Sequence, residues 1–367
     1  MAPATVLVSI GTRPEAVKLA PLVQELMRRD GIRVRVLATA QHRELLDQIL
    51  AFFEIAVDID LDLMRADQGL ADLTSRMLSR VDQVMESEQP DFVFAQGDTT
   101  TVMVTGLCCY YRKIAMGHVE AGLRTGNKYS PFPEEMNRKL VGSLADLHFA
   151  PTEQAREHLL AEGVPDDRVH VTGNTVIDAL QWASRRVGAP EVAPTDGRRT
   201  ILVTAHRREN FGAPLLEVCR GIRTLADRGD VDVLFPVHPN PSVVDVVRAE
   251  LGSHDRVELV EPMDYPKFVA AMNAAHLILS DSGGVQEEAP TLGKPVLVLR
   301  DETERPEGIA AGTAKLVGPH ADRIVAAATQ LLDDEVAYAA MAQARNPYGD
   351  GTAARRIADA LVGWLRG

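Results

Sequence analysis

Two glycines that follow a serine form the first candidate site. Residues 276–280 are an apolar run typical of a buried strand, and a helical segment is predicted from Val285 to Leu292. Ser282-Gly283-Gly284 therefore lies at a strand-to-helix turn, where unpaired backbone N–H groups and the helix dipole favour an anion. Glu288, on the helix, is placed to accept hydrogen bonds from a ribose. A tight turn with a capping serine is the structural alternative, and the motif alone leaves both interpretations open.

A second group of charged residues follows the predicted strands of the first half. The strands at 5–10, 92–96 and 114–118 lead into Arg13, Asp98 and Glu120 respectively. The carboxyl ends of parallel strands share one edge of a sheet, which is where open α/β sheets bind ligands. Each residue also has a structural interpretation. Asp98 or Thr99 suits a helix N-cap, Glu134 suits the first turn of a later helix, and Lys18 reads most simply as a solvated charge.

The second half of the chain repeats this arrangement. A strand at 200–204 leads into His206, and its turn mirrors the place of Arg13. Two sheets with polar loops at their carboxyl edges imply an interdomain cleft. The residues expected to face one another across it are Arg13, Asp98, Glu120 and Glu134 on one side and His206, Ser282 and Glu288 on the other. Three carboxylates beside a phosphate site repel one another, which favours a role in proton transfer.

The order of elements predicts the fold class. Strands alternate with helices throughout, which is typical of an α/β protein with two doubly wound, Rossmann-like domains. We expect an N-terminal domain at residues 1–172 and a C-terminal domain at 173–351. Residues 188–198 read as a linker, and an amphipathic helix is predicted at the C-terminus, within 352–367.

Composition excludes several functional classes. The 367 residues are 46% hydrophobic and 25% charged, which indicates a globular protein of two domains. A net charge of −13 argues against non-specific binding to nucleic acid or to a membrane surface. Three cysteines without C-x-x-C spacing indicate reduced, buried thiols in a cytoplasmic protein. We find no signal peptide, no membrane-spanning run and no metal-ligand spacing among the histidines.

Eight motifs together resemble the non-hydrolysing bacterial UDP-N-acetylglucosamine 2-epimerases. They are GTRPE at 11–15, QGDTTT at 96–101, HVEAGLRT at 118–125, PEE at 133–135, TGNTVIDA at 172–179, HRREN at 206–210, DSGGVQEEA at 281–289 and TERPE at 303–307. The resemblance runs in order from about residue 5 to the C-terminus. It implies the two-domain fold of the GT-B type, with UDP bound by the C-terminal domain and the last helix, 352–367, crossing back to the first domain. It also implies a homodimer, no nicotinamide cofactor, no metal, and a role in cell-surface polysaccharide biosynthesis.

The resemblance also implies a reaction and roles for individual residues. Members of the family interconvert UDP-GlcNAc and UDP-ManNAc by eliminating UDP to a 2-acetamidoglucal and adding it back. Roles in catalysis are implied for Asp98, Glu120 and Glu134, which would transfer protons, and for His206 near the diphosphate. Roles in substrate binding are implied for Arg13, Lys18, Ser282, Gly283, Gly284, Arg305 and, at the ribose, Glu288.

Many bacterial relatives are activated by a second UDP-GlcNAc molecule. The positions that match this second site are Gln41, His42, Glu134, Arg207 and His238. Asp67 stands where regulated relatives can carry an arginine, which puts the strength of activation in doubt. Met263 replaces a polar residue of close relatives near the uracil.

Four other interpretations remain open from the sequence. A hydrolysing epimerase would release free ManNAc and UDP. A GT-B glycosyltransferase would need an acceptor site and has no evident use for three clustered carboxylates. A non-catalytic sugar-nucleotide binding module would be expected to have lost part of the acidic set. An epimerase acting on a related UDP-amino sugar would carry the same motifs.

Overall fold

The computed structural model describes residues 2–39, 43–65, 68–188, 197–207 and 210–366. The described chain divides into two units. The first runs up to Ala179 and resumes at Gly349, and the second runs from Leu180 to Tyr348. Most of the predicted linker at 188–198 lies outside the described residues. No helix in the described part of the chain is long and apolar enough to span a membrane.

The first unit consists of a seven-stranded parallel sheet and the helices that connect its strands. Its strands are β1 (Ala4–Ile10), β2 (Ile32–Ala38), β3 (Ile59–Asp60), β4 (Phe92–Gln96), β5 (Ala115–Val119), β6 (Leu147–Ala150) and β7 (Val169–Val171), in the spatial order β3-β2-β1-β4-β5-β6-β7. The helices are α1 (Arg13–Met27), α2 (Arg43–Phe52), α3 (Leu70–Glu88), α4 (Thr100–Arg112), α5 (Glu134–Leu144), α6 (Glu153–Ala161), α7 (Thr175–Ser184), whose last residues belong to the second unit, and the C-terminal α15 (Ala353–Arg366). Helix α15 packs against α1.

The second unit repeats this architecture. Its strands are β8 (Arg199–Thr204), β9 (Val231–Pro236), β10 (Val257–Val260), β11 (Leu277–Ser280), β12 (Val296–Val298) and β13 (Ala314–Leu316), in the order β10-β9-β8-β11-β12-β13. Its helices are α8 (Ala213–Asp227), α9 (Pro241–Leu251), α10 (Tyr265–Ala274), α11 (Gly283–Glu288), α12 (Pro306–Ala310), α13 (Ala321–Asp333) and α14 (Glu335–Ala342). The prediction of two doubly wound α/β domains is confirmed.

Each sheet has a point where the order of its strands reverses. In the first unit β1 lies between β2 and β4, and in the second β8 lies between β9 and β11. Chain segments leaving the two central strands diverge there, which opens a crevice at the carboxyl edge where α/β proteins bind ligands. The polar turns of interest follow β1 and β4 in one unit, and β8 and β11 in the other.

The burial of the strands explains why their sequences are continuous apolar runs. Parallel strands with helices on both faces expose neither face to water. Leu7 of β1, Phe94 of β4 and Leu279 of β11 are all 0% exposed. Burying one such side chain contributes about 1.5–3 kcal/mol. The three cysteines are buried free thiols, as predicted.

The predicted start of one helix is wrong. The helix after the paired glycines was expected to begin at Val285, but α11 begins at Gly283 and a 3₁₀ turn continues it over Ala289–Leu292. Ser282 has extended backbone angles and is the N-cap. Both glycines therefore take helical angles in the first turn, a conformation that a glycine adopts at an entropic cost but without a steric one.

Candidate active site

The turn that carries Asp98 follows β4 and is fixed from several sides. Gly97 has a left-handed φ of 83°, and its N–H donates to Val119 O at 3.0 Å. Asn137 Nδ2 donates to the backbone oxygen of Asp98 at 2.8 Å. The carboxylate of Asp98 pairs with Arg138 at 2.5 Å. Side-chain and backbone atoms of this residue are thus both held, while 23% of its side chain remains exposed.

His118 holds the same turn through the preceding carbonyl. Its Nε2 lies 2.7 Å from Gly97 O. Burial lowers the pKa of His118 to about 4, so the ring is neutral at pH 7. A neutral imidazole can donate from only one nitrogen, and a carbonyl accepts only. The hydrogen therefore resides on Nε2, and His118 acts as a buried donor to the Asp98 turn.

Glu120 follows the neighbouring strand, β5, and is also tied to a cation. Its Oε2 lies 2.5 Å from Lys18 Nζ and accepts from Asn174 Nδ2 at 2.8 Å. The residue has a φ of +62°, which a residue with a Cβ adopts only at a cost of roughly 1–3 kcal/mol. The structure thus replaces the simple interpretation of Lys18 as a solvated charge with an ion pair to a candidate catalytic carboxylate.

The first turn of α5 contributes two acidic residues in different settings. Glu134 is the first helical residue and is partly exposed. Glu135 is buried and accepts from the backbone N–H groups of Thr125 and Gly126, both at 3.1 Å. Burial alone would raise the pKa of Glu135, but these N–H groups and Arg138 lower it. Glu135 is thus a buried anion that closes the loop before α5.

Arg13 is the first residue of α1, beside a capping box. The backbone N–H of Thr12 donates to Glu15 Oε2 at 2.6 Å, and Thr12 Oγ1 faces Glu15 N at 3.4 Å. Glu15 is fully buried, and desolvation raises its pKa to about 7. The Arg13 side chain itself is partly exposed. Arg13 is therefore presented by a rigid turn at the carboxyl edge, as predicted.

In the second unit His206 is oriented by a residue that the sequence analysis did not select. Asp281 is completely buried and accepts at Oδ2 from the backbone N–H groups of His206, at 2.9 Å, and Arg207, at 2.8 Å. Asn210 Nδ2 is a third donor, at 3.0 Å. Asp281 Oδ1 lies 3.1 Å from His206 Nδ1, an ion-pair distance without the alignment of a strong hydrogen bond. Burial would raise the pKa of Asp281, but His206 and the backbone donors lower it.

The Ser282–Gly284 turn gathers positive charge. A methyl group built on Gly283 would lie 3.7 Å from the Arg305 guanidinium carbon and 3.9 Å from Arg207 Nη2. Ser282 makes no capping hydrogen bond to the residues that the structure describes. The alternative of a serine that serves only as a cap is therefore not supported by its contacts. Two guanidinium groups beside a glycine form an environment suited to phosphate.

Arg305 is itself held in place by α11. Its Nε donates to Glu287 Oε1, and Thr303 Oγ1, which accepts from Arg305 N at 3.1 Å, donates to Gln286 Oε1 at 2.7 Å. Glu287 and Gln286, which follow the glycines, thus hold Arg305 in position. Glu288, the predicted ribose contact, is on the same helix, with Oε1 3.4 Å from a methyl group built on Gly284.

The predicted second UDP-GlcNAc site is described only in part. Gln41, His42 and Asp67 lie outside the described residues. The rings of His206 and His238 stack at 20°, with centroids 6.5 Å apart. Arg207 lies beside Gly283, as above. The assignment of Gln41, His42, Arg207 and His238 to an allosteric site stays a prediction.

The residues that sequence reasoning missed share one feature. Each is a second residue that holds a predicted residue or the turn on which it lies. They are Glu15, His118, Asn137, Arg138, Asn174 and Asp281. Four of them, Glu15, His118, Asn174 and Asp281, lie within the motifs, which was a signal, but periodicity does not show which side chain contacts which. No group of metal-ligating side chains occurs among the described residues.

Comparison with known proteins identifies relatives over nearly the full length. The profile of the family described as UDP-N-acetylglucosamine 2-epimerase matches residues 24–362. The UDP-N-acetylglucosamine 2-epimerase of Yersinia pestis is 52% identical, over 97% of this chain and 98% of the relative.

Solved structures agree with this likeness. The UDP-GlcNAc 2-epimerase of Neisseria meningitidis, bound to UDP-GlcNAc, superimposes with a TM-score of 0.88 at 46% identity, over 98% of this chain and all of that one. The glycotransferase of kitacinnamycin superimposes with a TM-score of 0.68 at 13% identity, over 100% of both chains. The second comparison concerns the fold alone and agrees with the predicted GT-B type.

Proposed function

Because the chain belongs to the UDP-N-acetylglucosamine 2-epimerase family, we propose that it interconverts UDP-GlcNAc and UDP-ManNAc and does not hydrolyse them. The two sugars differ only in configuration at C2. The C2 proton is not next to a carbonyl, so its direct removal as an acid would be too costly. An elimination avoids this, because the electron pair of the broken C–H bond forms the C1–C2 double bond and does not remain as a lone pair on C2.

The proposed reaction has two balanced halves. In the first, a base removes the C2 proton, the C1–C2 double bond forms, and the C1–O bond breaks with its electron pair leaving on UDP. In the second, the UDP oxygen adds back to C1 and a proton is delivered to C2 on the opposite face. The proton balance closes, and no atom is oxidised or reduced. The chemistry therefore needs a base, an acid and strong stabilisation of the departing diphosphate.

The observation that carries this proposal is the pair of carboxylates at adjoining strand ends of the first unit. Asp98 is paired with Arg138, and Glu120 with Lys18. Glu120 also accepts from Asn174 Nδ2, and Asn137 Nδ2 holds the backbone oxygen of Asp98, so both residues are fixed where their strands end. We assign proton transfer to Asp98 and Glu120, together with Glu134. In this assignment Lys18 and Arg138 aim the carboxylates.

In this proposal the second unit binds the leaving group, UDP. Arg305 lies beside Gly283, where it can neutralise a diphosphate, and Ser282 has a hydroxyl to donate. His206, held by Asp281, is assigned to the diphosphate as well. Glu288 is assigned to the ribose. Arg13 is a further cation for the diphosphate or the sugar hydroxyls.

Product analysis tests the proposal. The protein is incubated with UDP-GlcNAc, and the anomeric region is followed by NMR. We expect UDP-ManNAc to accumulate to a fixed ratio, with the same ratio reached from UDP-ManNAc. Free ManNAc together with UDP would instead identify the hydrolysing reaction. If neither UDP-ManNAc nor free ManNAc forms, both reactions are contradicted.

Two variants with a matched control test the assignment of the carboxylates. Asp98→Asn and Glu120→Gln keep size and shape but remove the proton acceptor, so turnover should fall by about 100-fold or more. Glu153→Gln makes the same kind of change at an exposed residue of α6 and should leave turnover unchanged. Full turnover in either test variant would remove that residue from the proton-transfer set.

A homodimer is also part of the proposal. Light scattering coupled to size exclusion should give twice the 39.9 kDa chain mass. The mass of a single chain at micromolar concentration would contradict it.

A further inference from the structure

Glu15 is a buried carboxyl group that the proposed proton transfers do not use. It is 2% exposed, and its two oxygens face different turns. Oε2 accepts from the backbone N–H groups of Gly11 and Thr12, at 2.7 and 2.6 Å. Oε1 accepts from the hydroxyl of Thr99 at 2.5 Å, across 84 residues of sequence.

The contacts at Oε2 have a local explanation, whereas the contact at Oε1 has none. The capping box at the start of α1 requires only that Glu15 reach back to its own N-terminal turn. Thr99 belongs to the N-terminus of another helix, α4, where its Oγ1 also faces Val102 N at 3.4 Å. The Glu15–Thr99 hydrogen bond therefore joins two separate turns.

Those two turns carry candidate active-site residues. Arg13 directly follows Thr12, and Asp98 directly precedes Thr99. Strands β1 and β4 are neighbours, but their pairing ends at Ser9 and Ala95. Beyond that register the backbones are no longer tied by the sheet, because chains diverge at the point where strand order reverses. Side-chain contacts set their separation there: the Thr101 side chain packs against Gly11, and the Glu15–Thr99 hydrogen bond joins the residues next to Arg13 and Asp98.

We propose that the Glu15–Thr99 hydrogen bond is a positioning contact, which fixes the turn that carries Asp98 relative to the turn that carries Arg13. Neither residue is a catalytic residue in this assignment; both act through their neighbours. The inference rests on the proposed function, since it concerns the rate of that reaction. All three donors point at Glu15, so a carboxylate satisfies them without further partners.

The test separates this contact from the capping of α4. Thr99→Val has the same shape but can neither donate to Glu15 nor cap the helix. Thr99→Ser retains both functions. Thr152→Val removes a cap of the same kind from another helix, α6, where Thr152 Oγ1 accepts from Ala155 N at 3.2 Å. Each variant is assayed for kcat and KM with UDP-GlcNAc and for its melting temperature.

We expect kcat of Thr99→Val to fall by about 10- to 100-fold while KM changes little, because displacement by a fraction of an ångström misaligns a reacting group. Thr99→Ser and Thr152→Val should stay within about twofold of the parent kcat. The inference is overturned if kcat of Thr99→Val matches that of Thr152→Val, or if only KM rises.

A change at Glu15 provides the second arm. Glu15→Gln can still accept the two N–H groups at its oxygen and donate its amide to the Thr99 hydroxyl, so it should retain most of kcat. Glu15→Leu cannot, and should resemble Thr99→Val. Equal kcat in these two Glu15 variants would overturn the inference. Absence of UDP-ManNAc with the parent protein would instead overturn the proposed function, so the two failures are distinct.

Discussion

Replacing Asp281 with asparagine tests how the second unit orients His206. The carboxylate is 0% exposed and receives three N–H donors at one oxygen. A hydrogen bond to a charged group contributes about 1.5–3 kcal/mol and a neutral one about 0.5–1.5 kcal/mol, so each weakened bond costs about 1 kcal/mol. Part of this is recovered because an amide is less costly to bury. We expect Asp281→Asn to lose about 2 kcal/mol of unfolding free energy, which lowers Tm by roughly 4–8 °C.

The effect on turnover should exceed the effect on stability. The asparagine oxygen satisfies the backbone donors, which directs its NH₂ group at His206 Nδ1 and forces that nitrogen to accept. The ring then changes tautomer, and a wrong tautomer can cost a catalytic histidine up to about 10⁴-fold in kcat. We expect a loss of about 100-fold or more at 25 °C, where the variant remains folded.

A double-mutant cycle and a pH series provide the controls. In a His206→Asn background, Asp281→Asn should lower kcat no further, because it acts through the ring. The pKa of Asp281 is lowered in the folded state, so its contribution to stability is present above the unfolded value of 3.8 and is lost as pH falls through the folded value. Asp281→Asn should remove that acid dependence. Equal losses of kcat in both backgrounds would refute the reasoning.

Three further variants probe other parts of the site. Gly283→Ala places a methyl group 3.7 Å from Arg305, an ordinary contact distance, so Tm should not fall. Calorimetry should show UDP binding weakened by about 10-fold or more, because the methyl group occupies the space through which a phosphate approaches the backbone. Lys18→Met removes the ion pair to Glu120, whose side chain is 8% exposed, and should change kcat by a larger factor than KM. A larger effect on KM would assign Lys18 to the substrate. The pKa of Glu15 is about 7 in the folded protein and 4.5 in the unfolded chain, so its contribution to stability is full below pH 4.5 and is lost as pH rises through 7. Denaturant titrations of Glu15→Gln should lack this change of about 3 kcal/mol in unfolding free energy. The same pH dependence in the variant and the parent would contradict this prediction.

Much of the fold follows from local pattern. Long apolar runs predict buried parallel strands, and the bounds of β4 match those expected from sequence. Helix starts are similarly readable, since Thr99, one of the two residues expected to cap α4, is its N-cap. The edge strands β3 and β13 are not readable in this way, because they have two and three residues, too few for any periodicity.

The site is predictable in its place but not in its contacts. The end of each central strand could be read from the sequence, so Arg13, Asp98 and His206 were expected at the carboxyl edges where they lie. The ion pair between Lys18 and Glu120 joins residues 102 apart, and nothing local distinguishes such a lysine from a solvated one. Burial of Glu15 is likewise set by the packing of distant turns, which the hydrophobic pattern of one helix does not show.

Isotope exchange at C2 tests the central claim most directly. The protein is incubated with UDP-GlcNAc in D₂O, and C2 of the recovered sugar nucleotides is examined by NMR. Elimination and re-addition predict deuterium at C2 of UDP-ManNAc from the first turnovers, and in the UDP-GlcNAc pool as equilibrium is approached. UDP-ManNAc that retains its original C2 proton would contradict the proposed mechanism.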